Sequence, residues 1–306
     1  MNDVAPDGDL DDLGAVDTSV GLRGQLVLVA TPIGNLADLT PRAVEALAAA
    51  DLVCCEDTRR TGRLLQHAGV VARRLAVCNE HTERSRVDDV LGVLGGGGIV
   101  ALVSDAGTPG ISDPGERLVR AVLDAGYEVT TCPGPTALMA ALVSSGLPTG
   151  RFVFEGFLPR RGAERRQRLA EIARELRTVV LYEAPHRVAA TLADLAAVCG
   201  GDRPVTVARE LTKRFETILR TTLGQVDVGS PRGEYVVVIG GASTEQADAA
   251  VGDDAVRAEL AAERGQGLST RDAVAAIAAR TGRSRREVYA LAVARSEPDT
   301  GTDVRR

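Results

Sequence analysis

Acidic and small residues follow an apolar run near the middle of the chain. The run Ile99–Val103 ends in Ser104-Asp105-Ala106-Gly107-Thr108-Pro109-Gly110, and a second aspartate follows at Asp113. Glycines let a backbone approach a bound molecule closely, and carboxylates accept hydrogen bonds or protons. This stretch therefore predicts a ligand-binding loop. A tight β–α turn with capping aspartates is the purely structural alternative.

Similar polar stretches follow three other apolar runs. Thr31-Pro32-Ile33-Gly34 follows the first run, Glu56–Arg60 follows the second and Asn79–Glu83 the third. Ligands bind at the carboxyl ends of the strands in open α/β sheets, so convergent loops of this kind predict a functional site. Acids that open an ordinary helix are the alternative for the second stretch. In the third stretch, His81 is open to two interpretations, a base and a structural hydrogen-bonding residue. None of the stretches matches a dinucleotide or phosphate-binding glycine motif.

The predicted strands and helices on either side of these loops indicate an α/β fold. Five apolar runs each end in a polar or Gly/Pro loop and are each followed by a helical segment, which indicates a mostly parallel sheet. In the second half the pattern is looser and favours more antiparallel pairing. The predicted strands are Gln25–Ala30, Leu52–Cys55, Leu75–Cys78, Ile99–Val103, Glu128–Cys132, Phe152–Phe157, Thr178–Tyr182, Val205–Ala208, Glu216–Thr221 and Glu234–Ile239.

The composition separates an acidic N-terminal stretch from a nearly neutral remainder and argues against a membrane-spanning or secreted protein. The formal net charge is −6, and six aspartates lie in the first 20 residues, so the rest is close to neutral. No apolar run is long enough to span a bilayer and no secretory signal is present, so we expect a soluble cytoplasmic protein. Five unevenly spaced cysteines and three histidines predict buried thiols and no metal site. Lys213 is the only lysine.

The predicted organisation has five parts. Residues 1–22 are expected to be a disordered acidic arm, 23–149 and 150–240 two α/β domains, 241–253 a linker, and 254–306 a helical appendage. Within the appendage, helices from Leu268 to about Arg280 and from Arg285 to Ala294 resemble a helix-turn-helix. Its arginines favour nucleic-acid contact, and a docking hairpin is the alternative. For the arginine-rich helix 163–176 the two interpretations are a solvated helix face and a patch that contacts phosphates.

Several long motifs resemble a known family. In order along the chain they are TPIGNLADLTPRA, EDTRRTGRLL, NEHTE, VSDAGTPGISDPG, CPGPTALMAALVSSGLP, FEGFLPRR, YEAPHR, ARELTKRFE and RGEYVVVIG. They closely resemble the small-subunit ribosomal RNA methyltransferase I proteins, within the tetrapyrrole-methylase superfamily. The resemblance covers roughly residues 24–240, and the helical tail is similar to the family's appendage.

The resemblance implies a fold, a cofactor and an activity. The fold would be two α/β domains with S-adenosylmethionine in the cleft between them, usually as a homodimer. The activity would be methyl transfer to the ribose 2′-hydroxyl of a decoding-centre cytidine in 16S rRNA of the 30S subunit. The implied cofactor residues are Pro32, Ile33, Gly34, Asp105, Ala106, Gly107, Ile111, Ser112, Thr136, Ala137, Phe157 and Tyr182.

A ribose hydroxyl is a poor nucleophile while it is neutral, so a base or a nearby cation would help it react. The predicted acids at the substrate end are Asp57 and Glu56, and the predicted charge stabilisers are Lys213 and Arg59. The predicted RNA contacts are Arg59, Arg60, Arg160, Arg161 and Arg187.

Two other functions remain open on sequence alone. One is a precorrin-type tetrapyrrole methylase, although the first loop lacks the GxGPGD-like pattern of those relatives. The other is a non-catalytic ribosome-binding protein that keeps the fold. The glycines and strand-end acids of the loops argue against this second alternative.

Overall fold

A computed structural model describes residues 24–244, 246, 252–281 and 283–293. The predicted acidic arm, 1–22, lies outside the described residues, as does much of the predicted linker. The contacts form two compact units. One takes the chain up to Pro32 together with Leu36–Pro135, and the other takes Ile33–Asn35 together with the chain from Thr136 onward. The boundaries at 149, 240 and 253 stay predictions.

The first unit contains a five-stranded sheet in the order β3-β2-β4-β1-β5. All of its strand pairs are parallel, as predicted, and β1 lies between β4 and β5. Apolar residues of both faces are buried, which explains the nearly continuous apolar runs. The strands are β1 Gln25–Val29, β2 Leu52–Cys55, β3 Leu75–Val77, β4 Ile99–Val103 and β5 Glu128–Cys132. The helices are α1 Pro41–Ala49, α2 Thr58–Ala68, α3 Glu83–Gly95 and α4 Glu116–Asp124.

Two helix starts in this unit show how local sequence fixes the loops. The pair Thr40-Pro41 predicts an N-cap followed by a helix, and the structure confirms it, because the Thr40 hydroxyl accepts the N–H of Ala43 at 3.2 Å. The sequence also predicts a helix over 61–68, but α2 begins at Thr58, three residues earlier. The reason is Asp57, whose carboxylate accepts the N–H of Arg59 at 2.8 Å and serves as the N-cap.

The second unit contains a mixed sheet in the order β6-β7-β10-β8-β9. Only β6 and β7 are parallel, and β10 is antiparallel to both β7 and β8, which confirms the prediction of more antiparallel pairing. The strands are β6 Phe152–Phe157, β7 Thr178–Glu183, β8 Pro204–Arg209, β9 Thr217–Thr222 and β10 Tyr235–Ile239. The helices are α5 Ala137–Ser144, α6 Gly162–Arg174 and α7 Pro185–Cys199.

Three further helices, α8 Asp253–Gly265, α9 Thr270–Thr281 and α10 Arg285–Val293, follow in the second unit. They bury an apolar cluster of their own that includes Leu260 and Ile277. The carboxylate of Glu263 on α8 is buried and pairs with Arg166 of α6 and with Arg280 of α9. Arg280 is therefore an internal ion-pair partner, which argues against the nucleic-acid contact that the sequence left open for this arginine.

The predictions about thiols and membrane segments have clear outcomes. All five cysteines are free and buried, as predicted. Among the described residues, no helix combines the length and the apolar character that crossing a bilayer requires. The same residues contain no group of three or more His, Cys, Asp or Glu side chains arranged to hold a metal ion.

Candidate active site

Two of the predicted ligand loops are joined by a backbone bridge. Thr31, directly after β1, exchanges two hydrogen bonds with Gly107 in the loop after β4, at N–O distances of 2.8 and 3.0 Å. The hydroxyl of Thr31 also donates to the carbonyl of Ser104 at 3.2 Å. Since β1 and β4 are neighbours in the sheet, this bridge fixes the two loops at the same carboxyl edge.

The loop after β4 follows an unusual backbone path. Gly107 and Gly110 have φ angles of 87° and 82°, values that glycine adopts without steric cost. Ser112 has a φ angle of 59° although it carries a side chain. Strained backbone of this kind clusters at functional sites, where the surrounding structure holds it in place. The loop after β4 therefore has positive φ angles at these three residues, which a simple β–α turn capped by an aspartate does not need.

Glu83 holds the far end of this loop. Its buried carboxylate, at the start of α3, accepts the N–H groups of Gly115 at 3.1 Å and Leu118 at 2.9 Å. These donors lie at the start of α4, where backbone N–H groups have no partner within the helix. The sequence does not reveal this role, because an acid in the first turn of a helix gives no sign that it caps a different helix.

Replacement of Glu83 by alanine is expected to lower the free energy of unfolding by about 3 kcal/mol, because two buried donors lose a charged acceptor. Chemical denaturation monitored by circular dichroism measures the change. Glu80→Ala is the matched control, since the Glu80 side chain is 81% exposed and should alter stability very little. Equal stability of the two variants would contradict the assigned role of Glu83.

Two predicted carboxylates and one predicted arginine come together at this edge. Glu56, at the end of β2, accepts the N–H of Asp105 at 2.8 Å. Arg60 pairs with the Asp105 carboxylate at 3.1 Å. The other oxygen of that carboxylate, Oδ1, is buried and lacks a hydrogen-bond partner within the described residues. A buried acceptor of this kind is suited to a cationic or hydrogen-bond-donating ligand.

Glu56 and Asp57 differ sharply in their electrostatics. Burial raises the pKa of Glu56, and the nearby Asp105 carboxylate adds to the increase. In contrast, the side-chain and backbone hydrogen bonds from Arg59 lower the pKa of Asp57 to about 2. A carboxylate with a raised pKa is the better proton acceptor near neutral pH. The structure therefore favours Glu56 over Asp57 as a base, although the sequence placed the two together.

Two cavities of the first unit lie beside these groups. The larger has a volume of about 720 Å³ and is lined by Glu56, His81, Ser112 and Arg117, among others. The smaller, about 310 Å³, lies against Pro32, Arg60, Arg63 and Asp105. Glu56 borders the larger cavity and Asp105 the smaller, and the N–H of Asp105 donates to the Glu56 carboxylate. Ala106 and Ile111 are exposed on the same loop.

In the second unit, Lys213 lies in a cluster of two carboxylates. Its ammonium donates to Glu210 at 3.0 Å and to Glu234 at 2.8 Å. Burial works against the charged form, but the hydrogen bonds to Glu234 and Glu210 outweigh it and raise the pKa of Lys213. Lys213 is thus held as a cation whose charge is largely balanced by its partners.

The turn that carries Lys213 is strained and closely packed. Glu210 and Thr212 have φ angles of 50° and 65°, and a branched residue such as threonine rarely adopts this conformation. Gly34 lies against this turn. A Cβ atom at Gly34 would be 2.3 Å from Cγ of Lys213 and 2.9 Å from Oγ1 of Thr212. Gly34, in the first predicted loop, therefore approaches the turn too closely for a residue with a side chain.

The remaining predicted cofactor residues of this unit lie around Tyr182. The Tyr182 hydroxyl accepts the N–H of Leu138 at 3.1 Å, in the first turn of α5, which follows Thr136 and begins at Ala137. The Phe157 ring is 5.7 Å from the Tyr182 ring and is 52% exposed. Ile33, Ala137 and Tyr182 share one apolar cluster. Thr136 occupies the N-cap position of α5, although its side chain makes no capping hydrogen bond.

The predicted RNA-contacting arginines fall into two groups. Arg160 and Arg161 are exposed and form no ion pair among the described residues, while Arg59 and Arg60 are 86% and 65% exposed although each has an acidic partner. Arg187 is only 19% exposed, pairs with Glu183 and donates to the carbonyl of Leu158. Its guanidinium is occupied within the unit, which makes it the least suited of the five to contact RNA.

Comparison with known proteins finds a matching family model and similar curated proteins. The family model described as Tetrapyrrole (Corrin/Porphyrin) Methylases matches residues 25–227. A protein of Synechocystis sp. is 47% identical, with 88% of this chain and 98% of that protein covered. A Xylella fastidiosa protein is 50% identical, with 73% of this chain and 84% of that protein covered. A protein of Escherichia coli O157:H7 is 47% identical, with 74% of this chain and 81% of that protein covered. All three are named ribosomal RNA small subunit methyltransferase I.

Solved structures with the same fold include corrin and porphyrin methyltransferases. The methyltransferase CobJ superposes with a TM-score of 0.56 and is 24% identical, with 72% of this chain and 95% of that chain covered. A uroporphyrin-III C-methyltransferase of Thermus thermophilus has a TM-score of 0.50 at 20% identity, with 71% and 94% covered. At these identities the likeness concerns the fold, which confirms the predicted α/β class.

Proposed function

Because this chain belongs to the ribosomal RNA small subunit methyltransferase I family of the tetrapyrrole methylases, we propose that it methylates a ribose 2′-hydroxyl of 16S rRNA. The methyl donor is S-adenosylmethionine, and the target is a decoding-centre cytidine. The observation that carries this proposal is the 47% identity to a relative that the chain covers over 98% of its length. The match covers 88% of this chain.

The residues present fit a cationic methyl donor. The cofactor carries a sulfonium and an ammonium group, and the buried Asp105 Oδ1 lacks a partner among the described residues. We propose that the cofactor is held by Pro32, Ile33, Gly34, Asp105, Ala106, Gly107, Ile111, Ser112, Thr136, Ala137, Phe157 and Tyr182.

The cofactor supplies an activated methyl group, so this chain mainly has to align the substrate and remove a proton. The ribose hydroxyl would have to lose its proton so that its oxygen could take the methyl group that the bound cofactor would supply. We assign the proton-accepting role to Glu56, because burial raises its pKa and the N–H of Asp105 orients it. Lys213 is assigned to charge stabilisation, and Asp57, with Arg59, to an accessory electrostatic role.

We propose three further properties of the working enzyme. The 30S subunit is its substrate, with Arg59, Arg60, Arg160 and Arg161 as contacts and Arg187 supporting their loop. It acts in the cytoplasm, where ribosomal subunits are assembled. It forms a homodimer, which the exposed apolar side chains of Met139 and Val143, one turn apart on α5, support. Sedimentation of wild type and of Val143→Asp tests the last property.

Transfer of labelled methyl groups from S-adenosylmethionine to 30S subunits tests the proposed reaction. We expect label in 16S rRNA and protection of one position from alkaline cleavage. A 2′-O-methyl group prevents the ribose 2′-oxygen from attacking the adjacent phosphate. Label on a tetrapyrrole instead of rRNA would indicate a precorrin-type methylase. Absence of transfer to either substrate would indicate a ribosome-binding protein without catalysis.

Removal of residues 254–306 is expected to weaken binding to 16S rRNA about tenfold while leaving the affinity for S-adenosylmethionine unchanged. The physical reason is that these helices form their own apolar cluster and carry the exposed Arg271, Arg285 and Arg286, whose charges attract phosphates. Filter binding measures the first quantity and calorimetry the second. Equal RNA affinity of the truncated and full-length proteins would contradict this role for the appendage.

A further inference from the structure

An exposed aromatic ring lies at the tip of the turn between β8 and β9. Phe215 is 66% exposed, and the guanidinium carbon of Arg214 lies 5.6 Å from the centre of its ring. The chain has four phenylalanines and no tryptophan. Phe152 and Phe154 pack into an apolar cluster and Phe157 lies against Tyr182. Phe215 belongs to none of the apolar clusters formed by the described residues.

The backbone beneath this ring is fixed. Glu210 and Thr212 have left-handed φ angles, and the N–H of Thr212 donates to the Glu216 carboxylate at 2.6 Å. The N–H of Lys213 donates to the carbonyl of Glu210 at 3.0 Å, and that of Glu216 donates to the carbonyl of Lys213 at 3.1 Å. A side chain presented from a fixed turn loses little conformational entropy when a partner binds. An exposed ring on such a turn is therefore preorganised for contact.

The charge around the ring suits an anionic partner. Arg209 lies opposite Thr217 and Tyr235 in the sheet register, so the loops before those residues emerge at the same end. The Nε–H of Arg209 donates to the carbonyl of Arg232 at 3.0 Å, which brings these two arginines together. Within the described part of the chain, Arg209, Arg214 and Arg232 have no carboxylate within ion-pair distance. Arg214 thus lies at the ring, and Arg209 and Arg232 lie at the end of the sheet from which this turn emerges.

We propose that Arg214 and Phe215 form a stacking platform for one unpaired nucleobase of the RNA substrate. Proteins that recognise single-stranded RNA stack splayed bases on aromatic rings and on guanidinium planes, with nearby cations on the phosphates. The inference rests on the proposed function, because it takes RNA as the substrate. It adds a contact for a base rather than for the reacting ribose. A second copy of this chain is the competing occupant, and the experiment distinguishes the two.

Direct evidence for stacking comes from Phe215→Trp, since the chain has no other tryptophan. Titration with single-stranded oligocytidylate RNA is expected to quench its fluorescence to saturation, whereas a duplex RNA should quench it much less. Leu123→Trp is the matched control, because Leu123 is 52% exposed on α4 of the other unit and should show no saturable quenching. Equal quenching of both variants, or of neither, would overturn the platform.

Binding of variants separates an aromatic contact from a general apolar one. Phe215→Ala and Phe215→Leu should each bind oligocytidylate and 30S subunits about tenfold more weakly, and Phe215→Tyr should keep wild-type affinity. Melting temperature and S-adenosylmethionine affinity should stay unchanged, because the ring is largely exposed. Wild-type affinity of Phe215→Leu, or loss of self-association in place of RNA affinity, would overturn the proposal. Oligonucleotide binding does not require methyl transfer. A wild-type protein that binds oligocytidylate but transfers no methyl group would therefore contradict the proposed function and leave the stacking platform intact.

Discussion

Glu56→Gln is expected to lower the turnover number at least 100-fold, which is the lower end of what a positioned general base contributes. Glutamine keeps an oxygen that can accept the N–H of Asp105, now 2.8 Å from the carboxylate, so the loop should keep its position. It cannot take a proton from the ribose hydroxyl. Single-turnover methyl transfer to 30S subunits measures the effect, and calorimetry should find the affinity for S-adenosylmethionine within a factor of two of wild type.

The pH profile supplies an independent check on this role. Because burial raises the pKa of Glu56, the acid limb of wild-type activity should lie above the ordinary range for a glutamate. Activity is lost as the pH falls through that raised pKa, since the base becomes protonated. The limb should disappear in Glu56→Gln. Asp57→Asn is the comparison, and we expect a decrease of less than tenfold, because the pKa of Asp57 is about 2. A larger loss in Asp57→Asn than in Glu56→Gln would reverse the assignment.

Gly34→Ala is expected to weaken S-adenosylmethionine binding more than tenfold and to lower the free energy of unfolding by about 2 kcal/mol. The added methyl group would be 2.3 Å from Cγ of Lys213 and 3.1 Å from the carbonyl oxygen of Leu211, so the loop or the turn must shift. Calorimetric titration and denaturant unfolding measure the two quantities.

Gly62→Ala provides a control for the Gly34 substitution. Gly62 lies within α2, and a Cβ atom there would meet nothing within 4 Å. Alanine at this position should increase stability by about 0.5 to 1 kcal/mol, because glycine is a poor helix former. It should leave cofactor affinity unchanged. If Gly34→Ala behaves like Gly62→Ala, the close approach between Gly34 and the strained turn has no functional consequence.

The amino-acid sequence predicted the elements of the fold well because their signals are local. The β-branched runs predicted the ten strands, and the Thr40-Pro41 pair predicted the start of α1. Positions of helix starts were less certain, because a single capping residue decides them. Asp57 moved the start of α2 from the predicted Thr61 to Thr58.

Parts of the candidate site depend on contacts between distant residues and could not be predicted in this way. The role of Glu83 arises from the packing of α3 beside α4, residues more than 30 positions apart. The difference between Glu56 and Asp57 arises because one is buried beside Asp105 and the other is exposed beside Arg59. Likewise, only the fold reveals that Arg187 is committed to Glu183 while Arg160 and Arg161 are exposed.

The single lysine has a practical consequence for chemical labelling. Lys213 is the only side-chain amine in the sequence, and two carboxylates hold it. Acylating reagents that attack neutral amines should therefore modify this side chain slowly, and peptide mass spectrometry can follow its modification separately from that of the α-amino group. Any ligand that displaces Glu210 or Glu234 from the ammonium would change that rate. The chain thus carries a native reactivity probe at the strained turn.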